Sequence, residues 1–162
     1  MLIREAVLAD VPLIAGLIRE LAEYEQLLDE VTMTEEGLAS NLFGQHRYAE
    51  AVIAEDEERR ALGFALFFHN FSTFLGLPGI YLEDLYVRPA HRGSGVGRAL
   101  LRHLARLALE RGCGRLEWSV LDWNQSAIDF YMGLGARSNS DWTGYRLQGD
   151  ALERLASETE QR

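Results

Sequence analysis

This sequence has a single cysteine and no lysine, and each shortage excludes a class of site. Cys113 is the only cysteine, so a disulfide framework and a cysteine-based metal cluster are excluded, and a reducing cytoplasm is expected. Lysine does not occur at all, which excludes a Walker phosphate loop because that motif needs lysine followed by serine or threonine. The first twelve residues include Glu5 and lack a long apolar stretch, so no signal peptide is expected.

One charge-free segment is long enough to cross a membrane. Residues 61–82 span 22 positions without a charged side chain. Polar residues from His69 to Thr73 and a glycine–proline loop at 76–79 interrupt the segment. We therefore predict two buried strands joined by a loop rather than a membrane span.

Charge is unevenly distributed along the 162 residues, whose formal net charge is −9. Seven arginines and one acid lie between Arg88 and Arg115, whereas seven acids and no base lie between Glu20 and Glu36. General nucleic-acid binding needs many phosphate contacts, and this balance disfavours it. The pattern favours a small anionic ligand at one place and a cationic ligand at another.

Apolar periodicity and turn residues predict a single mixed α/β domain over residues 1–162. Asp10 is expected to cap a helix that runs to about Glu25, with Pro12 in its first turn, and Thr34 to cap a second helix to about Phe43. The other predicted helices are 95–111, one that starts at 124 or 126 and ends near 134, and 151–156. The predicted strands are 2–7, 48–54, 62–71, 80–87, 115–120 and 142–147.

The stretch from Tyr81 to Leu101 combines a buried strand, a basic loop and a glycine-rich turn that opens a helix. Amides left free at a helix start, with arginines nearby, are suited to hold phosphate. A Rossmann dinucleotide site is excluded because the third glycine of residues 92–98, RGSGVGR, comes one residue too early for that fingerprint.

Two motifs resemble those of the GNAT N-acetyltransferase superfamily. Residues 92–97, RGSGVG, match its R/Q-x-x-G-x-G/A loop, whose amides hold the pyrophosphate of coenzyme A, and residues 124–136, NQSAIDFYMGLGA, match its second signature. Residues 18–25, IRELAEYE, and 81–84, YLED, are similar to the diamine (spermidine/spermine-type) N-acetyltransferase branch. The resemblance implies an α/β (α+β) fold: one domain with a mixed central sheet of about six or seven strands, helices on both faces, and an acetyl-CoA-binding core at about 80–136.

The resemblance assigns the coenzyme to the strand, the glycine loop and the second signature. Backbone amides of the strand would hold the pantetheine arm, and the loop would hold the pyrophosphate, with Arg88 adding positive charge. The implied coenzyme-binding residues are Leu85, Tyr86, Val87, Arg92, Gly93, Ser94, Gly95, Val96, Gly97, Arg98, Asn124, Ser126, Ala127 and Tyr131. No metal is expected.

The implied catalytic residues are Tyr131 and Glu83. Tyr131 resembles the tyrosine that donates a proton to the coenzyme A sulfur, and a phenol with an ordinary pKa of about 10 is protonated at neutral pH. Glu83 matches the general base, acting directly or through a water. Their alternatives are a packed core tyrosine and a strand carboxylate paired with an arginine. Regular alternation would place Asp84 on the opposite face from Glu83, and a bulge would change that.

The amine substrate is assigned by the same resemblance. Tyr24 and Glu25, at the end of the first helix, match residues that contact the amine, and a solvated acidic helix end is the alternative. The implied amine-binding residues are Tyr24, Glu25, Glu83, Asp84, Glu117, Trp118 and Ser119. The branch often carries an acid where Thr143 stands, and this departure favours thialysine or another small primary amine over a long polyamine.

The resemblance implies a cytoplasmic, homodimeric, acetyl-CoA-dependent N-acetyltransferase that acts by direct transfer on a small cationic amine, with no nucleic-acid or membrane partner. A protein or peptide N-acetyltransferase stays open, because the same acids would attract basic tails. A non-catalytic coenzyme A-binding regulatory module also stays open, although Glu83 and Tyr131 argue against it. Cys113 is expected to pack rather than carry an acetyl group, because His103 lies too far along the preceding helix.

Overall fold

The computed structural model of the chain describes residues 1–158 and divides into two compact units. Met1–Ser119 forms the first unit, and the second begins at Val120. The described strands are β1 (Leu2–Glu5), β2 (Glu50–Glu55), β3 (Ala61–Ser72), β4 (Leu77–Val87) and β5 (Leu116–Trp118). The described α-helices are α1 (Val11–Tyr24), α2 (Glu35–Phe43), α3 (Val96–Glu110), α4 (Gln125–Gly133) and α5 (Gly149–Ser157).

The strands form one mixed sheet in the order β1-β2-β3-β4-β5. The first four strands pair antiparallel, whereas β5 pairs parallel to β4. The charge-free segment is the β3–β4 hairpin, as predicted. Among the described helices, none is both long and apolar enough to cross a membrane.

Helices pack on both faces of the sheet in the first unit. Ile14 and Leu17 of α1 share a buried cluster with Ile53 of β2 and Phe64 of β3, and Leu42 of α2 belongs to the same cluster. Residues of opposite parity in the strands face α3, whose apolar stripe is fully buried at Leu100 and Leu104. The α/β class and the two-sided packing are therefore confirmed.

The start of α1 differs from the expectation at Asp10. Its side chain makes no capping bond to α1. The carboxylate instead accepts the Val7 N–H at 2.7 Å and two hydrogen bonds from Arg4 at 2.7 and 2.9 Å. The two parallel hydrogen bonds from the Arg4 guanidinium are charge-assisted, and they orient the Asp10 carboxylate towards β1 instead of towards the amides of α1. The expected cap of α2 is confirmed, since Thr34 Oγ1 accepts the Gly37 N–H at 3.0 Å.

The expected strand count was too high. The described residues contain five strands instead of six or seven, and residues 142–147 have no regular secondary structure. Trp142 and Tyr145 in this segment are 75% and 96% exposed, so the presence of aromatic residues does not by itself make a strand. A strand also needs hydrogen-bonding partners, and the composition of the segment cannot supply them.

A β-bulge in β4 sets the geometry on which the site depends. Leu66 of β3 lies opposite Asp84, but the next residue, Phe67, lies opposite Leu82. Glu83 is therefore the extra residue of β4. Because the bulge shifts the alternation by one, Leu82 and Asp84 point to opposite faces, whereas regular pairing would place them on the same face.

Candidate active site

The glycine loop leaves a row of free amides at the start of α3. Gly93 and Gly95 have φ angles of +75° and +88°, in the left-handed region that favours glycine. No side chain caps α3, and its first hydrogen bond runs from the Ala99 N–H to the Gly95 carbonyl at 3.0 Å. The amides of residues 96–98 therefore have no partner within the helix, and they carry the positive end of its dipole.

The residues of this loop fit an anionic diphosphate. A Cβ added to Gly93 or Gly95 would meet no atom within 4 Å, so both glycines border open space. The Ser94 hydroxyl donates to the His91 carbonyl at 2.6 Å and so leaves the helix amides unblocked. Arg98 is exposed in the first turn of α3. Free amides, open space and positive charge are what phosphate binding requires.

Arg88 and Arg92 both have contacts within the protein. Arg88 forms an ion pair with Glu20 of α1 at 2.9 Å and donates to the Ala61 carbonyl at 3.1 Å. Arg92 donates from Nε to the Val87 carbonyl at 2.9 Å. Arg88 thus ties the end of β4 to α1, and Glu20 compensates its charge. The expectation that Arg88 adds positive charge at the phosphate site stays a prediction.

The end of β4 beyond the bulge has one open edge. Pairing with β5 covers only Ile80–Leu82. The Arg88 N–H donates to the Leu62 carbonyl at 2.9 Å on β3, so alternation turns the amides of Leu85 and Val87 away from β3. The same register turns the Tyr86 N–H towards β3. Of the three amides expected to bind the pantetheine arm, Leu85 and Val87 are available and Tyr86 is not.

Three carboxylates, Glu25, Glu83 and Asp84, form an acidic cluster beside this edge. Asp84 lies opposite Leu66, so the bulge turns its side chain to the face that packs on α1. Burial, followed by the charges of Glu83 and then Glu25, raises the pKa of Asp84 to about 6. Burial also raises the pKa of Glu25. Within the first unit no basic side chain forms an ion pair with these residues, so the acidic cluster favours a cation.

The other residues expected to bind the amine differ in their surroundings. Tyr24 ends α1 next to Glu25, and the residue is 36% exposed. Glu117 forms an ion pair with Arg115 at 2.9 Å and accepts from Asn70 at 3.0 Å, so its charge is already compensated. Ser119 lies within hydrogen-bonding distance of the Tyr81 hydroxyl, at 2.8 Å. The half-buried Trp118 pairs with Leu82 at the end of the β4–β5 ladder.

The second unit contains the remaining expected residues on α4. Asn124 caps this helix, as one of the two predicted starts, and its Oδ1 accepts the Ala127 N–H at 3.3 Å. The Ser126 hydroxyl donates to the same oxygen at 3.3 Å. The Tyr131 ring is half-buried and lies 5.4 Å from the Phe130 ring between centroids.

Cys113 is buried, in agreement with the packing role expected for it. Among the described residues, no group of three or more histidine, cysteine, aspartate or glutamate side chains is arranged to hold a metal ion.

Sequence reasoning missed the contacts that connect the site to α1. Glu20 was only one of seven acids in a run, and nothing local identifies it as the partner of Arg88, which is 68 residues away. The Tyr86 ring also went unnoticed, although it lies 5.6 Å from the Arg92 guanidinium. An aromatic residue two positions before a basic loop was the one available signal.

Comparison with known proteins decides the family. The model of the acetyltransferase (GNAT) family matches residues 16–136, which include the glycine loop, the bulged strand and α4. The chain belongs to the GNAT acetyltransferase family. A member of this family is an acyltransferase, and the protein is accordingly an enzyme.

Curated relatives extend the similarity along nearly the whole chain. A thialysine N-epsilon-acetyltransferase of Sus scrofa is 39% identical, with 96% of each chain covered. L-ornithine N5-acetyltransferase NATA1 of Arabidopsis thaliana is 33% identical over 94% of this chain and 86% of its own length. Spermidine/spermine N(1)-acetyltransferase-like protein 1 of Homo sapiens is 33% identical over 90% of this chain and 22% of its own length. Acetyl transfer to an amine is the activity that these names share.

Solved structures agree with the GNAT assignment. An integron cassette protein of V. cholerae superposes with a TM-score of 0.81 at 28% identity, covering 97% of this chain and 98% of its own. A probable acetyltransferase superposes with a TM-score of 0.75 at 27% identity, covering 93% of this chain and 99% of its own.

Proposed function

We propose that this GNAT enzyme transfers the acetyl group of acetyl-CoA directly to the primary amine of a small cationic substrate, a diamine, polyamine or thialysine-like compound. The acidic cluster carries the proposal, because three carboxylates without a basic partner in their own unit provide a site for an ammonium group. The substrates in the names of the relatives, thialysine, ornithine and spermidine, are amines of this kind and support it.

The coenzyme is proposed to lie along β4 and the start of α3. Acetyl-CoA supplies the acetyl group as a thioester. Leu85 and Val87 would donate their free amides to the pantetheine arm, and the amides of residues 96–98 would hold the pyrophosphate with Arg98. In the second unit, Asn124 caps α4, and Ser126, Ala127 and Tyr131 retain their proposed part in binding the coenzyme.

Glu83 and Tyr131 are proposed as the proton-transfer groups. Glu83 is exposed at the bulge next to Asp84, where it can take a proton from the bound ammonium, directly or through a water. The neutral amine attacks the thioester carbonyl, and the N–C bond forms as the C–S bond breaks. Tyr131 gives a proton to the departing thiolate. The nitrogen loses its extra proton, which returns to the Tyr131 oxygen directly or through a water.

A homodimer in the cytoplasm is part of the proposal. The one cysteine, present as a buried free thiol, is compatible with a reducing compartment. Light scattering coupled to size exclusion should give twice the monomer mass of 18.3 kDa, and a single monomer peak would contradict the dimer.

A panel of acceptors tests the function. Release of free thiol from acetyl-CoA is measured with spermidine, putrescine, thialysine, ornithine, lysine and a basic peptide, each against a blank without amine. We expect amine-dependent release with the small amines, and thialysine or ornithine ahead of spermidine because Thr143 stands where an acid often does. Preference for the peptide would replace the small-amine proposal with peptide acetylation. Coenzyme binding without release by any acceptor would favour a regulatory module.

A further inference from the structure

Arg92, the first residue of the glycine loop, also contacts Tyr24, which was assigned to the amine. Its guanidinium carbon lies 4.3 Å from the centroid of the Tyr24 ring and 5.6 Å from that of the Tyr86 ring. Its Nε donates to the Val87 carbonyl at 2.9 Å. One side chain therefore touches the end of α1, the end of β4 and the glycine loop.

The planar cation is held in a defined orientation by these contacts. The Nε–H bond to Val87 fixes the guanidinium at the open edge of β4, and the Tyr24 ring lies at cation–π distance from it. The Tyr86 ring is 5% exposed and belongs to the buried cluster shared with α1, so it offers a rigid second surface. Arginine suits this position better than lysine because its flat, delocalised cation can stack and donate at once.

The stack has a consequence for the acidic cluster. Tyr24 is the last residue of α1, and Glu25 follows it directly. Glu25 in turn is close enough to Asp84 for its charge to raise the pKa of that carboxyl. Fixing the Tyr24 ring therefore fixes the part of the chain that carries one of the three carboxylates.

We propose that Arg92 is a positioning residue that couples coenzyme binding to amine binding by holding the Tyr24 ring at the end of α1. The inference rests on the proposed function and adds to it a link between the two substrates. An anion at the glycine loop draws on the same guanidinium that stacks on Tyr24, so the free energies of binding the two ligands depend on each other. Such coupling is reciprocal: each ligand changes the affinity for the other by the same factor.

A double-mutant cycle with Arg92→Lys, Tyr24→Leu and the double variant tests the coupling. With acetyl-CoA saturating, Arg92→Lys should raise the KM for the amine about threefold to tenfold, the range expected for a lost cation–π contact, and leave kcat within about twofold. In the Tyr24→Leu background the same replacement should add little. If the change in amine KM of the double variant equals the product of the changes in the two single variants, the proposal is overturned. An unchanged amine KM in Arg92→Lys would also overturn it.

Direct binding gives a readout that needs no turnover. By calorimetry, Tyr24→Leu should weaken coenzyme A binding when Arg92 is present and have little effect in Arg92→Lys. Arg47→Lys is the matched control. The Arg47 guanidinium carbon lies 5.8 Å from the centroid of the Phe43 ring of α2, so this replacement alters the same kind of contact elsewhere. If Arg47→Lys lowered the affinity for coenzyme A as much as Arg92→Lys does, the proposal would be overturned.

Thermal unfolding of the same four proteins separates this inference from the proposed function. If the wild-type enzyme acetylates no amine, the proposed function fails, and the melting temperatures still measure whether Arg92 and Tyr24 are coupled. If the wild type is active and the two replacements are additive in melting temperature and in KM, the proposed function stands and the coupling is overturned.

Discussion

At the residue scale, Asp84 is the side chain whose chemistry depends most on its surroundings. Its pKa of about 6 lies above the ordinary value of 3.8, so the folded protein binds this proton more tightly than the unfolded chain does. The ionised Asp84 carboxylate therefore lowers the free energy of unfolding. This loss is absent at a pH below the ordinary pKa of 3.8 and complete at a pH above the raised pKa of about 6.

Replacing Asp84 with Asn should therefore stabilise the protein, and more so at high pH. The difference between a pKa of about 6 and the ordinary 3.8 corresponds to roughly 2 to 3 kcal/mol of lost stability when the carboxylate is fully charged. Urea unfolding should show a gain at pH 8 that exceeds the gain at pH 5 by about 1 kcal/mol. Asp29→Asn, which removes an exposed charge in the turn after α1, is the control. A gain independent of pH would contradict the raised pKa.

Replacing Tyr131 with Phe tests the proposed acid. The phenol oxygen is lost while the ring remains, so kcat should fall about 100-fold, the lower end of the range for general acid catalysis. The dissociation constant of coenzyme A should stay within about threefold by calorimetry. Unchanged turnover would remove Tyr131 from the mechanism, and Phe130→Leu on the same helix tests for general damage to α4.

Replacing Glu83 with Gln tests the proposed base. At pH 7 the value of kcat/KM should fall about 100-fold, and it should recover in part at pH 9 to 10, where more of the amine is already neutral. Glu57→Gln, in the exposed β2–β3 turn, removes the same charge away from the site. A loss that stays constant across the pH range would argue against proton abstraction by Glu83.

At the scale of single elements, the turn into α3 and the bulge in β4 place the site. The turn could be predicted from the sequence, because left-handed glycine conformations and uncapped helix amides are local properties of residues 92–98. The bulge could not. One extra residue at Glu83 depends on how β4 pairs with β3, and both registers satisfy the apolar pattern of the strand.

A pair of Gly→Ala replacements tests the turn. Gly95→Ala should destabilise the protein by about 1 to 2 kcal/mol and weaken coenzyme A binding, because alanine avoids a φ of +88°. Gly16→Ala, inside α1 with no atom within 4 Å of an added Cβ, should stabilise it by about 0.5 to 1 kcal/mol. Urea unfolding and calorimetry measure both effects. If both replacements changed the free energy of unfolding and the affinity for coenzyme A equally, the role of the turn would be contradicted.

At the scale of the whole molecule, charge acts differently on the two substrates. The net charge of −9 and the acidic cluster both attract a cationic amine. The anionic coenzyme is attracted by the glycine loop and by Arg98, but the net charge of the protein opposes it. Long-range attraction is screened once the Debye length falls to about 10 Å at 0.1 M salt.

Raising NaCl from about 20 to about 300 mM should therefore raise the KM of the amine several-fold, and that of acetyl-CoA by less. Steady-state kinetics with each substrate varied in turn measure both values, and sucrose at equal osmolality serves as the control. An amine KM that falls with salt would contradict an acidic acceptor site.

The sequence by itself determined the family, the phosphate-binding turn and the order of most elements, since these depend on short motifs and local backbone preferences. Only the tertiary structure decided which amides of β4 stay open, that Asp84 faces α1, and that Arg88 pairs with Glu20. The physical reason is common to all three. Each depends on pairing or packing between segments far apart in the chain, where several arrangements satisfy the same local pattern.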